Sequence, residues 1–210
     1  MTARLYCFGE SGNAYKAALT LELAGYEWDP VWVDFFHGAS RSPDFLQINE
    51  MGEAPVFVED GLTLTQSCVI QLHVAEKTGK FLRGDRSEIL RWLFWDGQKG
   101  TGQQGALRFL MNFVPEDKRP AQAISWLSGR VMAAIGTLDR HLAGRDWMVG
   151  GEPTLADFAC CGYLYYPEPY GFVRADWPNI DRWLANVSAL PGWKHPYDLM
   201  PGNPSDRAAT

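Results

Sequence analysis

The sequence predicts an α/β unit followed by an all-helical unit within one chain of 210 residues. Three observations carry this expectation. Short apolar runs alternate with helical patterns through the first 80 residues. Asp60-Gly61 stands between two strand-like runs, the strongest two-residue hairpin signal. After Arg83-Gly-Asp-Arg86 the strand signals stop, and every later apolar pattern recurs at helical spacing.

The elements follow in order. Residues 5–8 form an apolar run that breaks at Gly9, and Ala14, Ala17, Ala18 and Leu21 then mark a helix face that Gly25 ends. Residues 28–35 read as a second strand. Residues 42–49 read as a short helix with Pro43 at its first position, where the missing N–H costs nothing. Residues 55–59 and 62–65 flank the hairpin turn, and Ser67 begins a helix running to Lys77 with Gly79 beyond it. The order is β-α-β-α-β-β-α. In the second half, residues 87–114, 120–142, 154–166 and 180–189 show helical spacing between Pro/Gly-rich turns. Thr154 and Asp157 make a capping box, with Asp in place of the usual Glu. The predicted domains are 1–80 and 87–196, with 197–210 as a loosely held tail.

Composition narrows the function classes. A formal charge of −6 and a pI near 5.2 exclude the basic footprint of a nucleic-acid binder. No window approaches the apolar length of a membrane span and no leader pattern opens the chain, so a cytoplasmic protein with no membrane partner is expected. Cys7, Cys68, Cys160 and Cys161 form no C-x-x-C, and the His residues are dispersed, so no metal site is expected. Gly100-Thr-Gly-Gln-Gln-Gly105 matches the dinucleotide fingerprint G-x-G-x-x-G, but that motif works only after a strand. Here helical patterns stand on both sides, and the glycines are expected to bend or break one long helix.

The stretch from Phe8 to Ala17 reads as strand, loop, helix and delivers Ser11 and Asn13 to a helix start. Such a loop serves to cap the helix, to cradle an anion or to activate a nucleophile. Four features in order then bring the chain close to a known layout: Ser11-Gly-Asn13 ahead of Lys16, Gly52-Glu-Ala-Pro55 entering the third strand, Gln66-Ser67 opening the third helix, and the Thr154/Asp157 box. With them the chain resembles a cytosolic glutathione transferase over nearly its whole length, most closely the serine-type enzymes and the bacterial classes with Asn in this loop. The resemblance implies a thioredoxin-like first domain, an all-helical second domain, glutathione as co-substrate and a homodimer.

It also implies site residues. Ser11 would donate a hydrogen bond to the glutathione thiolate, with Asn13 as a second donor or a support for the loop; Ser11 as a plain cap stays open, as do Tyr6 and Cys7 as rival thiol partners. Pro55 would be cis and would turn the backbone of Ala54 toward the cysteinyl part of glutathione, the alternative being a trans proline that starts a strand. Gln66 and Ser67 would hold the γ-glutamyl end at a helix N-terminus, the plain reading being an ordinary cap at Ser67. Arg41 would reach the glycyl carboxylate or serve as a surface residue. Glu53 departs from the family, where Lys or Gln is common, and would repel that carboxylate. A second-substrate pocket between the halves would use Phe8, Glu10, Trp95, Tyr163 and Tyr166, and their aromatic character implies an apolar or aromatic electrophile. Glutathione-dependent disulfide or peroxide reduction is the alternative chemistry, and a non-catalytic binding or regulatory protein is the alternative class.

Overall fold

The computed structural model describes residues 2–202. They divide into two compact units, one holding the chain up to Lys80 together with the stretch from Pro191 on, the other holding Phe81–Leu190.

The first unit is built on a four-stranded sheet of β1 (Ala3–Cys7), β2 (Trp28–Trp32), β3 (Val56–Glu59) and β4 (Leu62–Thr65), in the order β2-β1-β3-β4. β2 runs parallel to β1, and both the β1/β3 and the β3/β4 pairs are antiparallel. The parallel pair requires a crossover, which α1 (Gly12–Ala24) supplies. Gly25 ends α1 at φ 67°, a conformation that costs glycine little. α3 (Ser67–Thr78) packs against α1, and the buried Gln71 side chain ties them by donating from Nε2 to Thr20 Oγ1 at 3.0 Å. On the other face Phe8, Val33, Phe45 and Val56 form a cluster joined by Tyr6 and by Ile48 of α2 (Pro43–Ile48). Alternation along β1 therefore sends Cys7 and Tyr6 to opposite faces. At the hairpin both Asp60 (φ 46°) and Gly61 (φ 83°) take positive φ, as a turn matching the strand twist demands.

β2 is shorter than the expected 28–35. It ends at Trp32, and after Val33 N donates to Cys7 O (2.9 Å) its neighbour β1 offers nothing more to pair with. The chain folds instead into a short 3-10 turn at Phe35–His37. Pro30 lies within β2 without harm, because β2 is an edge strand.

The second unit contains α4 (Arg86–Lys99), α5 (Thr101–Asn112), α6 (Ala121–His141), α7 (Leu155–Cys160) and α8 (Pro178–Ser188). The break between α4 and α5 falls at Gly100, and the rest of the G-x-G-x-x-G stretch lies within the start of α5, with no strand before it. A Cβ there would stand 2.5 Å from Asp96 Oδ1, the oxygen that caps α5 by accepting from Thr101 N (3.0 Å) and from the Thr101 hydroxyl. Gly100→Ala is expected to cost about 1–3 kcal/mol by overpacking, read as a lower urea midpoint; an unchanged midpoint would count against this role for Gly100.

α7 opens with the capping box the sequence predicts. The fully buried Asp157 accepts from Thr154 N (2.8 Å), Thr154 Oγ1 (3.1 Å), Met148 N (2.8 Å) and Trp183 Nε1 (2.8 Å). Burial pushes its carboxyl up to about 6, and these donors act in the opposite sense. The helix is much shorter than the expected 154–166. From Gly162 onward the backbone changes to turns, with Gly162 N to Ala159 O and Leu164 N to Cys161 O replacing helical bonds.

The sequence places the end of the helical domain at 196 and a loose tail beyond it. In the structure the chain from Pro191 belongs to the first unit, and α9 (Pro196–Leu199) packs on α1. Residues 203–210 of the expected tail lie outside the described residues. No described helix is long and apolar enough to cross a membrane.

Candidate active site

The sheet register brings three candidate segments to one end of the first unit. Tyr6 of β1 pairs with Val56 of β3, and Val56 pairs with Thr65 of β4. The Phe8–Ser11 turn follows β1, Ala54-Pro55 precedes β3 and Gln66-Ser67 follows β4, so all three leave the sheet at the same end. The segment after β2 joins them, because Val33 N bonds to Cys7 O there.

Ser11 is the N-cap of α1 and is 5% exposed. Its Oγ accepts from Ala14 N at 3.1 Å, its carbonyl accepts from Tyr15 N at 2.9 Å, and its amide donates to Phe8 O at 3.0 Å. A hydroxyl has one donor and two acceptor positions. Capping uses an acceptor position, and the O–H meets no acceptor among the described residues. The helix begins at Gly12 and not at Ala14, so Asn13 stands inside the first turn, half-buried, and not in the loop. The residue that caps is Ser11, directly before Gly12.

The rivals fare differently. Cys7 is fully buried on the opposite face from Tyr6, and burial pushes its thiol up to about 12, which opposes thiolate chemistry. Tyr6 lies half-buried in the apolar cluster, its ring edge-on to Phe45 at 6.2 Å.

The Ala54-Pro55 bond is cis. Neither the amide nor the carbonyl of Ala54 is taken up by another described residue. Asn49 holds the approach to it, donating from Nδ2 to Glu53 O (2.7 Å) and accepting at Oδ1 from Met51 N (3.1 Å). Sequence reasoning did not single out Asn49; its place just after a helix and ahead of Gly52 is the signal of an Asx turn. Gln66, and not Ser67, occupies the N-cap place of α3. It takes φ 68° without any side-chain cap bond, and Ser67 is the first helical residue. A non-glycine residue at positive φ costs energy and marks places where surrounding structure imposes a conformation. Ser67 is 7% exposed, and neither its amide nor its hydroxyl meets a partner among the described residues.

Two charges sit beside this end. The Arg41 side chain lies over Gly52, where a Cβ would be 2.9 Å from Nη1, and Nη1 donates to Met51 O at 3.3 Å. Glu53 Oε2 accepts from Gln66 Nε2 at 3.3 Å, so its carboxylate is turned to Gln66.

Phe8 is buried and stacks on Phe35 with centroids 4.8 Å apart, while Glu10 is 3% exposed and accepts at Oε2 from Tyr197 Oη at 2.8 Å. In the helical unit Tyr163 and Tyr166 are both buried beside Arg108, whose guanidinium lies 4.2 Å from the Tyr166 centroid and pairs with Glu168 at 2.6 Å. Trp95 is half-buried edge-on to Trp92 and lines a pocket of about 280 Å³ with Lys99, Gln103, Arg130 and Thr137.

A four-stranded sheet in this order followed by a helical bundle defines a thioredoxin-like domain with an all-helical domain after it. The chain belongs to the glutathione S-transferase family: the model of that family's N-terminal domain matches residues 1–76 and that of its C-terminal domain matches residues 107–191. Among curated relatives, the disulfide-bond oxidoreductase YfcG of Escherichia coli is 28% identical over 194 residues, covering 88% of this chain and 89% of its own length. Glutathione S-transferase D7 of Drosophila melanogaster is 25% identical over 198 residues, covering 90% of this chain and 86% of its own. A solved glutathione S-transferase from Xanthobacter autotrophicus superposes with a TM-score of 0.85 at 32% identity, covering 99% of this chain and 100% of that one.

Proposed function

We propose that this protein is a glutathione transferase that binds glutathione at the sheet end described above and holds its sulfur as thiolate through Ser11. The observation that carries the reading is the hydroxyl of Ser11, fixed by its cap bond with the O–H left over, at the start of a thirteen-residue helix. A thiol with a pKa of about 8.5 is only a few per cent thiolate at neutral pH. A donated hydrogen bond and the positive helix end both favour S⁻. Asn13, in the first turn, supplies a further donor. Capping and catalysis use different parts of the same hydroxyl, so one role does not displace the other.

The remaining residues divide the rest of glutathione among them. The free backbone groups of Ala54 beside Pro55 pair with the cysteinyl residue as an added strand would. Ser67 offers amide and hydroxyl to the γ-glutamyl carboxylate. Gln66 accepts from the ammonium, and the Glu53 carboxylate turned toward Gln66 supplies the negative charge that a neutral amide lacks. With Glu53 engaged there, Arg41 is the cation left for the glycyl carboxylate. Trp32 at the end of β2 and Phe35 and Phe36 just after it, between 36% and 50% exposed, lie at the same end and favour an apolar or aromatic electrophile. The thiolate attacks its carbon and the leaving group departs with the bonding pair.

A second reading rests on YfcG, the relative whose name states disulfide chemistry. Cys7 is buried with a raised pKa, so in that reading glutathione's own thiolate attacks the disulfide to form a mixed disulfide and expel one thiolate, and a second glutathione thiolate attacks the mixed disulfide to form glutathione disulfide and expel the other. A cytoplasmic twofold dimer completes the proposal, resting on family layout and tested by light scattering, where a monomeric mass would contradict it. Ser67→Ala is expected to weaken glutathione binding by about 1–2 kcal/mol, the worth of a hydrogen bond to a charged group. Calorimetry checks it, and unchanged affinity in a folded variant would remove Ser67 from the site.

A further inference from the structure

The turn that presents Ser11 is held from outside by the stretch 194–202. Phe8 O accepts from Ser11 N, which closes a four-residue turn with Gly9 and Glu10 at its centre. Both central residues are anchored to the returning C-terminal stretch. Gly9 N donates to Pro201 O at 2.6 Å, and Tyr197 Oη donates to the nearly buried Glu10 carboxylate at 2.8 Å. The fit is close on both sides: a Cβ on Gly9 would stand 3.2 Å from Gly202 O, and one on Gly202, itself at φ 77°, would stand 2.6 Å from Trp32 Nε1. The same stretch is fastened to α1, the helix that Ser11 caps, because Tyr15 Oη donates to Lys194 O at 3.0 Å and Lys194 Nζ pairs with Glu22 at 2.6 Å.

We propose that residues 194–202 form a strap that sets the position of the Ser11 hydroxyl, and that Tyr197 is a positioning residue acting through Glu10. The inference rests on the reading of Ser11 as thiolate donor. A four-residue turn closed by one hydrogen bond of its own, Ser11 N to Phe8 O, has little within itself to fix its position. A hydroxyl stabilises a thiolate only when held at hydrogen-bonding distance and angle before the sulfur arrives, and that preorganisation has to come from the surroundings of the turn. The strap provides it from two directions, one bond to the backbone of Gly9 and one to the side chain of Glu10, the residue directly before Ser11. No part of the strap needs to touch glutathione.

The test compares Tyr197→Phe, Ser11→Ala and the parent by ultraviolet titration of bound glutathione, with turnover of chlorodinitrobenzene in parallel. In Tyr197→Phe the bound thiol's pKa is expected to rise by about half a unit to one unit, and kcat at neutral pH to fall by about 1.5-fold to threefold. The KM for glutathione stays within about twofold, because the binding groups at Ala54, Gln66 and Ser67 are untouched. In a Glu10→Ala background, Tyr197→Phe should have no further effect, whereas in Glu10→Gln, which keeps an oxygen acceptor, it should still raise the pKa. If Tyr197→Phe proves poorly folded, the strap remains testable through Gly9→Ala, which crowds the Pro201–Gly202 backbone and should shift the pKa in the same direction, an unmoved pKa overturning the strap. A pKa unmoved in Tyr197→Phe but raised in Ser11→Ala overturns the strap alone. A pKa unmoved in Ser11→Ala overturns the Ser11 reading and the strap with it, and an equal Tyr197→Phe effect in the parent and in the Glu10→Ala background overturns the route through Glu10.

Discussion

Ser11→Ala is expected to lower kcat/KM at neutral pH by about twentyfold, with much of the loss returning at alkaline pH. The size follows from the thiolate population. A bound thiol whose pKa is held about 2 units below its free value is largely ionised at pH 7, and about 2.7 kcal/mol of stabilisation is needed for that shift. Removing the hydroxyl takes away the donor while leaving the positive end of α1, so the pKa climbs back toward that of the free thiol. The direction with pH is fixed: a rate that needs S⁻ rises with pH until the thiol is fully ionised, and in the variant that plateau comes later. The cap bond to Ala14 N is lost too, at about 1 kcal/mol of stability, a loss that lowers the melting temperature but is not recovered at high pH. The pH profile therefore separates the two roles of one side chain. A profile displaced in neither plateau nor midpoint would leave Ser11 a cap.

Asp157→Ala is expected to be the most damaging single change to the helical unit. The carboxylate satisfies two backbone amides, a hydroxyl and an indole N–H, drawn from Met148, Thr154 and Trp183, and it lies with Trp183 in a fully buried setting. Alanine leaves these donors without acceptors, and each buried donor left unsatisfied costs about 1–3 kcal/mol. A loss of at least about 3 kcal/mol is a large part of the stability of an ordinary domain, and it corresponds to a fall in melting temperature of about 10 °C for a chain of this size. Asp157→Asn keeps one oxygen but turns an amide N–H₂ toward donors, and it should fall between the parent and alanine. Thermal melts followed by far-ultraviolet circular dichroism check the order. A melting temperature within about 2 °C of the parent in Asp157→Ala would show that water or rearranged neighbours satisfy the box.

Local chemistry made much of the fold readable. Asp60-Gly61 predicts its hairpin because two adjacent positive φ values are affordable there, and Gly100 breaks a helix where the Asp96 carboxylate leaves no room for a Cβ. The Thr154/Asp157 box reads from spacing alone. What escaped depends on residues distant in sequence. The end of β2 is set by where β1 stops, and the shortness of α7 by the change to turns at Gly162 within an otherwise continuous apolar run. The return of residues 191–202 has no periodicity to announce it, because it is fixed by single bonds to Gly9, Glu10 and Tyr15. Within the candidate site the residue types at Ser11, Ala54-Pro55, Gln66 and Ser67 were legible. The turning of Glu53 toward Gln66, the Asx turn of Asn49 and the location of Asn13 inside α1 were not, since each depends on side-chain geometry that spacing does not encode.

The central claim is that this protein binds glutathione and ionises its thiol. Difference absorbance of the thiolate band, followed across pH with glutathione saturating the unmodified protein, tests it most directly. The account predicts a single titration with a pKa about 2 units below that of free glutathione, absent from the protein alone. A bound thiol that titrates at the free value, or no band that depends on the protein at all, would contradict it.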